Sequence, residues 1–90
     1  MNTQEECLQI LTTAGIDPNS EIDFDVNGEV KSLSLQYIID TFMLASQESQ
    51  LVFLAALKKS RTKDTLGIDQ FFEGMGQLLL MSHLSDKALS

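Results

Sequence analysis

Few side chains in this sequence could carry chemistry, and their spacing limits what that chemistry could be. Cys7 has no second cysteine to pair with, so an intrachain disulfide is excluded. No histidine lies near it in the chain to form a Cys–His nucleophile, and it reads as a small buried hydrophobe. The only histidine, His83, falls near the carboxyl end of an apolar helical pattern, where an imidazole complements the helix dipole. One cysteine and one histidine at opposite ends of the chain do not supply the three or four ligands that zinc requires. Neither a Walker A loop nor a G-x-G-x-x-G turn occurs, and Gly74-x-Gly76 has no strand before it. The reading is therefore of a protein that is not an enzyme, with no catalytic residue, no cofactor and no metal.

The acidic residues between 21 and 29 need separate treatment. Asp23-Phe-Asp25-Val-Asn27-Gly28-Glu-Val30 resembles the first eight positions of an EF-hand calcium loop: oxygens at positions 1, 3 and 5, the turn glycine at 6, an aliphatic residue at 8. The resemblance implies Ca2+ held by Asp23, Asp25 and Asn27. Against it, position 12 is Ser34 rather than a bidentate Glu, and position 9 is the cation Lys31. Gly15 and Pro18 also end the preceding helix too early to abut Asp23. The alternation Glu21-Ile-Asp-Phe-Asp-Val26 instead has the period of a strand, and Glu29–Leu33 can return beside it after Asn27-Gly28. A three-residue loop, Val26-Asn27-Gly28 with Gly28 left-handed, sets Phe24 opposite Val30 and Asp23 opposite Lys31; a two-residue turn mixes the faces. The three-residue register is expected. Glu21, Asp23, Asp25 and Glu29 then form a candidate acidic face.

Charge is segregated along the chain. Thirteen acids against six bases give a net charge of −7, which opposes adhesion to nucleic acid or to an anionic membrane. Lys58, Lys59, Arg61 and Lys63 nevertheless hold four of those six bases. They form a candidate basic patch, or simply a solvated helix end whose cations suit the dipole.

The elements that must position these residues follow from apolar periodicity. Thr3-Gln-Glu-Glu6 has the form of a capping box, Cys7, Ile10, Leu11 and Ala14 share one helical face, and Gly15 with Pro18 stops the helix, giving a span near 4–14. A hairpin near 21–33 follows. Ser34 (or Ser32) caps a helix near 35–45 with the stripe Leu35, Ile38, Ile39, Phe42, widened by Tyr37, Met43 and Leu44. Ser46 caps another near 47–60, with Leu51, Leu54 and Ala55 on one face and Val52, Phe53, Ala56 and Leu57 around it; the two form an αα-hairpin. Asp64 or Thr65 starts the last helix, near 67–83, whose stripe is Ile68, Phe71, Phe72, Met75, Leu78 and Leu79. Beyond Ser85 a frayed tail is expected. Gly74 and Gly76 interrupt that helix and suggest close approach of another helix backbone, while Leu80, Met81 and Leu84 extend its apolar surface.

Ninety residues make one domain, of α+β class and predominantly helical. The amino terminus is acidic where a signal peptide is basic, and the longest apolar run, Leu51–Leu57, is far below the ~20 residues of a membrane span. A cytoplasmic protein is expected. The leading functional expectation is a small regulatory or adaptor protein that acts by protein–protein contact as a homodimer, through Gly74, Gly76, Leu80, Met81 and Leu84. The alternative is an acidic inhibitor that mimics nucleic acid and occupies a nucleic-acid-binding site on its target. A third is weak nucleic-acid or Ca2+ binding.

Overall fold

The computed structural model describes residues 2–61 and 65–89, with side chains described for 2–61 and 67–81. Helix α1 (Thr3–Thr13) leads into a hairpin of β1 (Glu21–Val26) and β2 (Glu29–Ser34), followed by α2 (Leu35–Phe42), α3 (Gln47–Arg61) and α4 (Thr65–Leu89). This is the expected order: a helix, a hairpin, then three helices.

Local chemistry sets most of the boundaries. Asn2, not Thr3, caps α1, its Oδ1 accepting from the Glu5 amide at 2.8 Å. Asn is a stronger N-cap than Thr, so the helix begins one residue ahead of the expected box. At its other end Gly15 is left-handed (φ 76°). The amides of Ile16 and Gly15 bond back to the carbonyls of Leu11 (2.9 Å) and Thr12 (3.0 Å), the paired bonds of a Schellman stop. Ser34 caps α2 through the Tyr37 amide and Ser46 caps α3 through the Ser49 amide, as the sequence indicates. α2 is shorter than expected. It ends at Phe42, because the amides of Leu44 and Ala45 bond to Thr41 and Phe42 in a tightened turn. The Gln50 amide side chain then holds the corner by donating to the carbonyls of Met43 and Ala45, each at 3.0 Å. α4 runs to Leu89; no Gly or Pro follows Gly76 to stop it.

The hairpin register corrects the expectation. β1 and β2 pair with Val26 opposite Glu29, Phe24 opposite Lys31 and Ile22 opposite Leu33. The turn is therefore the two-residue Asn27-Gly28, both with positive φ (55° and 86°), the signature of a type I′ turn. Asp25 Oδ1 accepts from the Gly28 amide at 3.0 Å and reinforces it. The energetic reason lies at the other end of the ladder. The observed register keeps Ile22 and Leu33 face to face beside the helices, whereas the three-residue loop would set Ile22 against Ser32. Val30 is left exposed at 71%.

One face of each helix closes a common core. Cys7, Ile10 and Leu11 of α1, Leu35, Ile38 and Ile39 of α2, Phe53, Leu54 and Leu57 of α3, and Ile68 and Phe72 of α4 are all buried together. Phe53 is its aromatic hub, with ring centroids 4.8 Å from Phe42, 5.1 Å from Phe71 and 6.3 Å from Phe72, separations at which aromatic rings attract. Two stripe assignments shift. α3 turns Phe53, Leu54 and Leu57 inward and leaves Leu51 and Ala55 outside, and Leu78 of α4 is 52% exposed. Asp40 ties α1 to α2 by accepting from the side-chain amides of Gln4 and Gln36.

Candidate functional site

The residues singled out by sequence are distributed over three separate surfaces. One of these is a groove of about 510 Å³ between β1 and α4. Consecutive residues from Asp23 to Asn27 line one wall and none of β2 does. The groove thus follows the edge of β1 that the two-stranded sheet leaves unpaired. Glu73, Gln77, Leu80 and Met81 line the other wall; their spacing of i, i+4, i+7 and i+8 puts them on one face of α4.

What holds the walls together is a ring in a notch. Phe24 is buried, and a Cβ placed on Gly76 would come within 2.3 Å of its Cζ. The sequence suggested that Gly76 admits a neighbouring helix; it admits an aromatic ring from a strand of its own chain. Gly76 is therefore interior and leaves the candidate dimer face. Nothing lies within 4 Å of a Cβ on Gly74. Leu80 is partly buried and Met81 is 62% exposed, both in the groove. The side chains of Leu84 and His83 fall outside the described residues.

Among the described residues the electrostatics of the groove have one sign: its ionisable lining is Asp23, Asp25 and Glu73, with no Lys or Arg. Asp23 Oδ1 accepts from the Ser32 hydroxyl at 2.6 Å and Asp25 Oδ1 from the turn amide, so both carboxylates are oriented yet retain acceptor capacity. Glu21 is exposed on the same strand face as Asp23 and Asp25. Glu29 is not. The observed register turns it to the Phe24 side, where it meets Lys31 at 3.7 Å. The acidic row is therefore three residues long. The other oxygens of the EF-like pattern are also dispersed: Ser34, at the twelfth position, lies opposite Glu21 at the hairpin base and caps α2.

The candidate basic patch divides around α3. Lys58 reaches Glu6 of α1 at 3.7 Å and lines, with Arg61, a crevice between α1 and α3. Lys59 lines a different crevice with Gly67, Gln70 and Phe71 of α4. Lys63 lies outside the described residues. Three cations of the sequence cluster thus serve two sides of one helix, as the 3.6-residue period requires of neighbours in sequence.

Cys7 is fully buried. Burial, and then the charge of Glu6, push its thiol up to about 11, with Lys58 acting in the opposite sense. A thiol held in that form is a poor nucleophile at neutral pH. Among the described residues no three His, Cys, Asp or Glu side chains come together as a metal-holding group, and no helix is long and apolar enough to cross a membrane.

Sequence reasoning did not pick out Glu73 and Gln77. Their spacing to Leu80 and Met81 was present in the chain, but only the docking of Phe24 at Gly76 brings that face beside β1. The chain matches no protein-family model, no curated protein and no solved structure.

Proposed function

We propose that this is a non-catalytic binding protein that works by protein–protein contact, and that the β1–α4 groove receives an extended, cationic segment of its partner. The observation that carries the reading is the coincidence of an unpaired strand edge with a groove whose ionisable lining, among the described residues, is carboxylate alone. A segment added along β1 would gain main-chain hydrogen bonds from that edge. Its alternate side chains would descend between the walls, where Val26, Leu80 and Met81 offer apolar surface. Lys or Arg in the segment would meet Asp23, Asp25 and Glu73, giving both selectivity against acidic sequences and faster encounter.

A peptide of about eight alternating Lys and Val residues, the length of an ordinary strand, tests this. It is expected to shift the amide resonances of 23–27 and 73–81 saturably. An alternating Glu–Val peptide should not. The double variant Glu73→Lys, Gln77→Lys, both at exposed positions, should weaken binding at least about tenfold (~1.4 kcal/mol) with unchanged helicity. Equal binding of the two peptides, or shifts elsewhere on the molecule, would refute the assignment.

A second reading has its own observation. Glu21, Asp23 and Asp25 alternate along one strand face, at a spacing of roughly 6.8 Å. Such a row supports an inhibitor that occupies the nucleic-acid-binding surface of a basic protein. Glu21 lies outside the groove lining, so Glu21→Lys separates the two readings: it should be near neutral for groove binding and strongly weakening for mimicry.

A further inference from the structure

The hairpin register decides which main-chain groups β1 turns outward. In a two-residue hairpin the residues flanking the turn exchange both of their main-chain bonds, and such pairs then alternate along the ladder. Val26 and Glu29 flank the turn, so Val26, Phe24 and Ile22 form the bonded pairs with Glu29, Lys31 and Leu33. The Leu35 amide, bonded to the Ser20 carbonyl at 3.0 Å, keeps the same phase beyond the base of the hairpin. The amides and carbonyls of Glu21, Asp23 and Asp25 therefore point away from β2, along the edge that no second strand covers among the described residues. These three residues are also the acidic ones of β1, and all three are exposed. Asp23 and Asp25 line the groove. Their bonds from the Ser32 hydroxyl and the Gly28 amide each occupy one carboxylate oxygen and leave the outward main-chain groups unused.

We infer that the segment received by the groove is an antiparallel strand of a different protein, and that its alternate cationic residues make the main-chain bonds to Asp23 and Asp25. This rests on the groove reading above and specifies its partner. In an antiparallel pair the residue opposite Asp23 exchanges both bonds with it, as does the residue opposite Asp25, at a Cα separation of roughly 5.5 Å. Directly opposite side chains share one face of the ladder, so a Lys or Arg at each of these positions meets a carboxylate. The residue between the two cations takes the other face, that of Phe24, which docks on α4 at Gly76. There Leu80 and Met81 favour an apolar side chain. The recognised pattern is cation, apolar, cation, along the roughly 17 Å from Asp23 to Asn27. A slip of one residue would set apolar side chains against the carboxylates, so charge fixes the register. A parallel strand would bond through the residues on either side of each cation, in a ladder slightly less stable per residue. The same geometry disfavours a second copy of this chain as the occupant, because β1 paired antiparallel with β1 sets acid against acid.

Backbone methylation of the Lys–Val peptide tests the arrangement against the unaltered protein. Methylating an amide nitrogen removes one main-chain donor and leaves every side chain and its charge in place. The peptide methylated at each Lys nitrogen is expected to bind at least about tenfold more weakly than its parent. The peptide methylated at each Val nitrogen should bind nearly as well as the parent, since those amides point away from β1. Direction has its own readout. A nitroxide on the amino end of the peptide should broaden the amide resonances of Val26 and Asn27 more than those of Glu21 and Ile22. The opposite methylation pattern, equal effects of the two methylations, or stronger broadening at Glu21 and Ile22 would each overturn the inference while the groove remained the binding site. A parent peptide that does not bind would overturn the groove reading itself, and this inference with it.

Discussion

The environment of Cys7 turns a residue that could be reactive into a structural one, and does so with a measurable pH signature. Its thiol has an ordinary value of 9.0 and stands near 11 in the folded chain, first because it is buried. Below pH 9 both folded and unfolded chains hold the proton, so stability does not depend on this group. Between pH 9 and 11 the unfolded thiol ionises while the folded one does not, the unfolded state binds fewer protons, and stability falls as pH rises. The loss approaches about 1.4 kcal/mol per pH unit once the unfolded thiol has ionised. Urea titrations of the wild type and Cys7→Ala at pH 8, 9, 10 and 11 should therefore converge as pH rises, since the alanine chain lacks this term. A gap that stays constant would show that the thiolate is tolerated inside. Thiol-reactive dye at pH 8 should label the native chain only at the rate of unfolding.

At the scale of elements, the two glycines of α4 show how propensity and packing compete. In a helix interior Gly is about 1 kcal/mol worse than Ala. Gly74 has open space where a Cβ would go, so Gly74→Ala should stabilise the protein by about that amount. Gly76 faces the buried Phe24 ring, so Gly76→Ala should destabilise by about 1–2 kcal/mol net, overpacking outweighing the helical gain. Adding Phe24→Leu to Gly76→Ala should recover part of that loss. Thermal melts of the three variants and the wild type would check the signs; equal stabilisation by both alanines would mean the notch does not exist. The same contrast explains what could be read in the chain. The faces of α1 and α2 were legible because a 3.6-residue period repeats over several turns, with serine or glycine marking at least one end of each. The stop of α2 was not, because it depends on Gln50 reaching back to Met43 and Ala45. The hairpin was legible as a hairpin but not in register. Phe24 opposite Val30 is the better match near the tip, and only the helical body decides that Ile22 with Leu33 matters more.

For the molecule as a whole, the hairpin is the part least embedded in the common core. The base of the hairpin is fastened to the start of α2 by the Leu35 amide bonding to the Ser20 carbonyl (3.0 Å) and the Gln36 amide to Pro18 (2.8 Å). Its outer half is fastened to α4 by Phe24 at Gly76, partners separated by more than half the chain. The groove described above exists because these two fastenings are at different places, and neither the strand nor the helix predicts it alone.

That ring-in-notch contact also bears on the order of events in folding. Gly76 is a receptive slot only after α4 has formed and turned its inner face to the core, and bringing Phe24 to it closes the long intervening loop. The helical core can assemble without it, whereas the contact cannot precede the core. Phe24→Leu should therefore leave the refolding rate almost unchanged and place nearly all of its destabilisation in faster unfolding, a φ-value near zero. Stopped-flow chevrons of the two chains would decide. A slowed refolding limb would put the hairpin in the nucleus instead. With late docking, the strand that borders the groove is also the first to come away. Hydrogen exchange at the amides of 22–26 should then proceed through an opening that costs less than global unfolding.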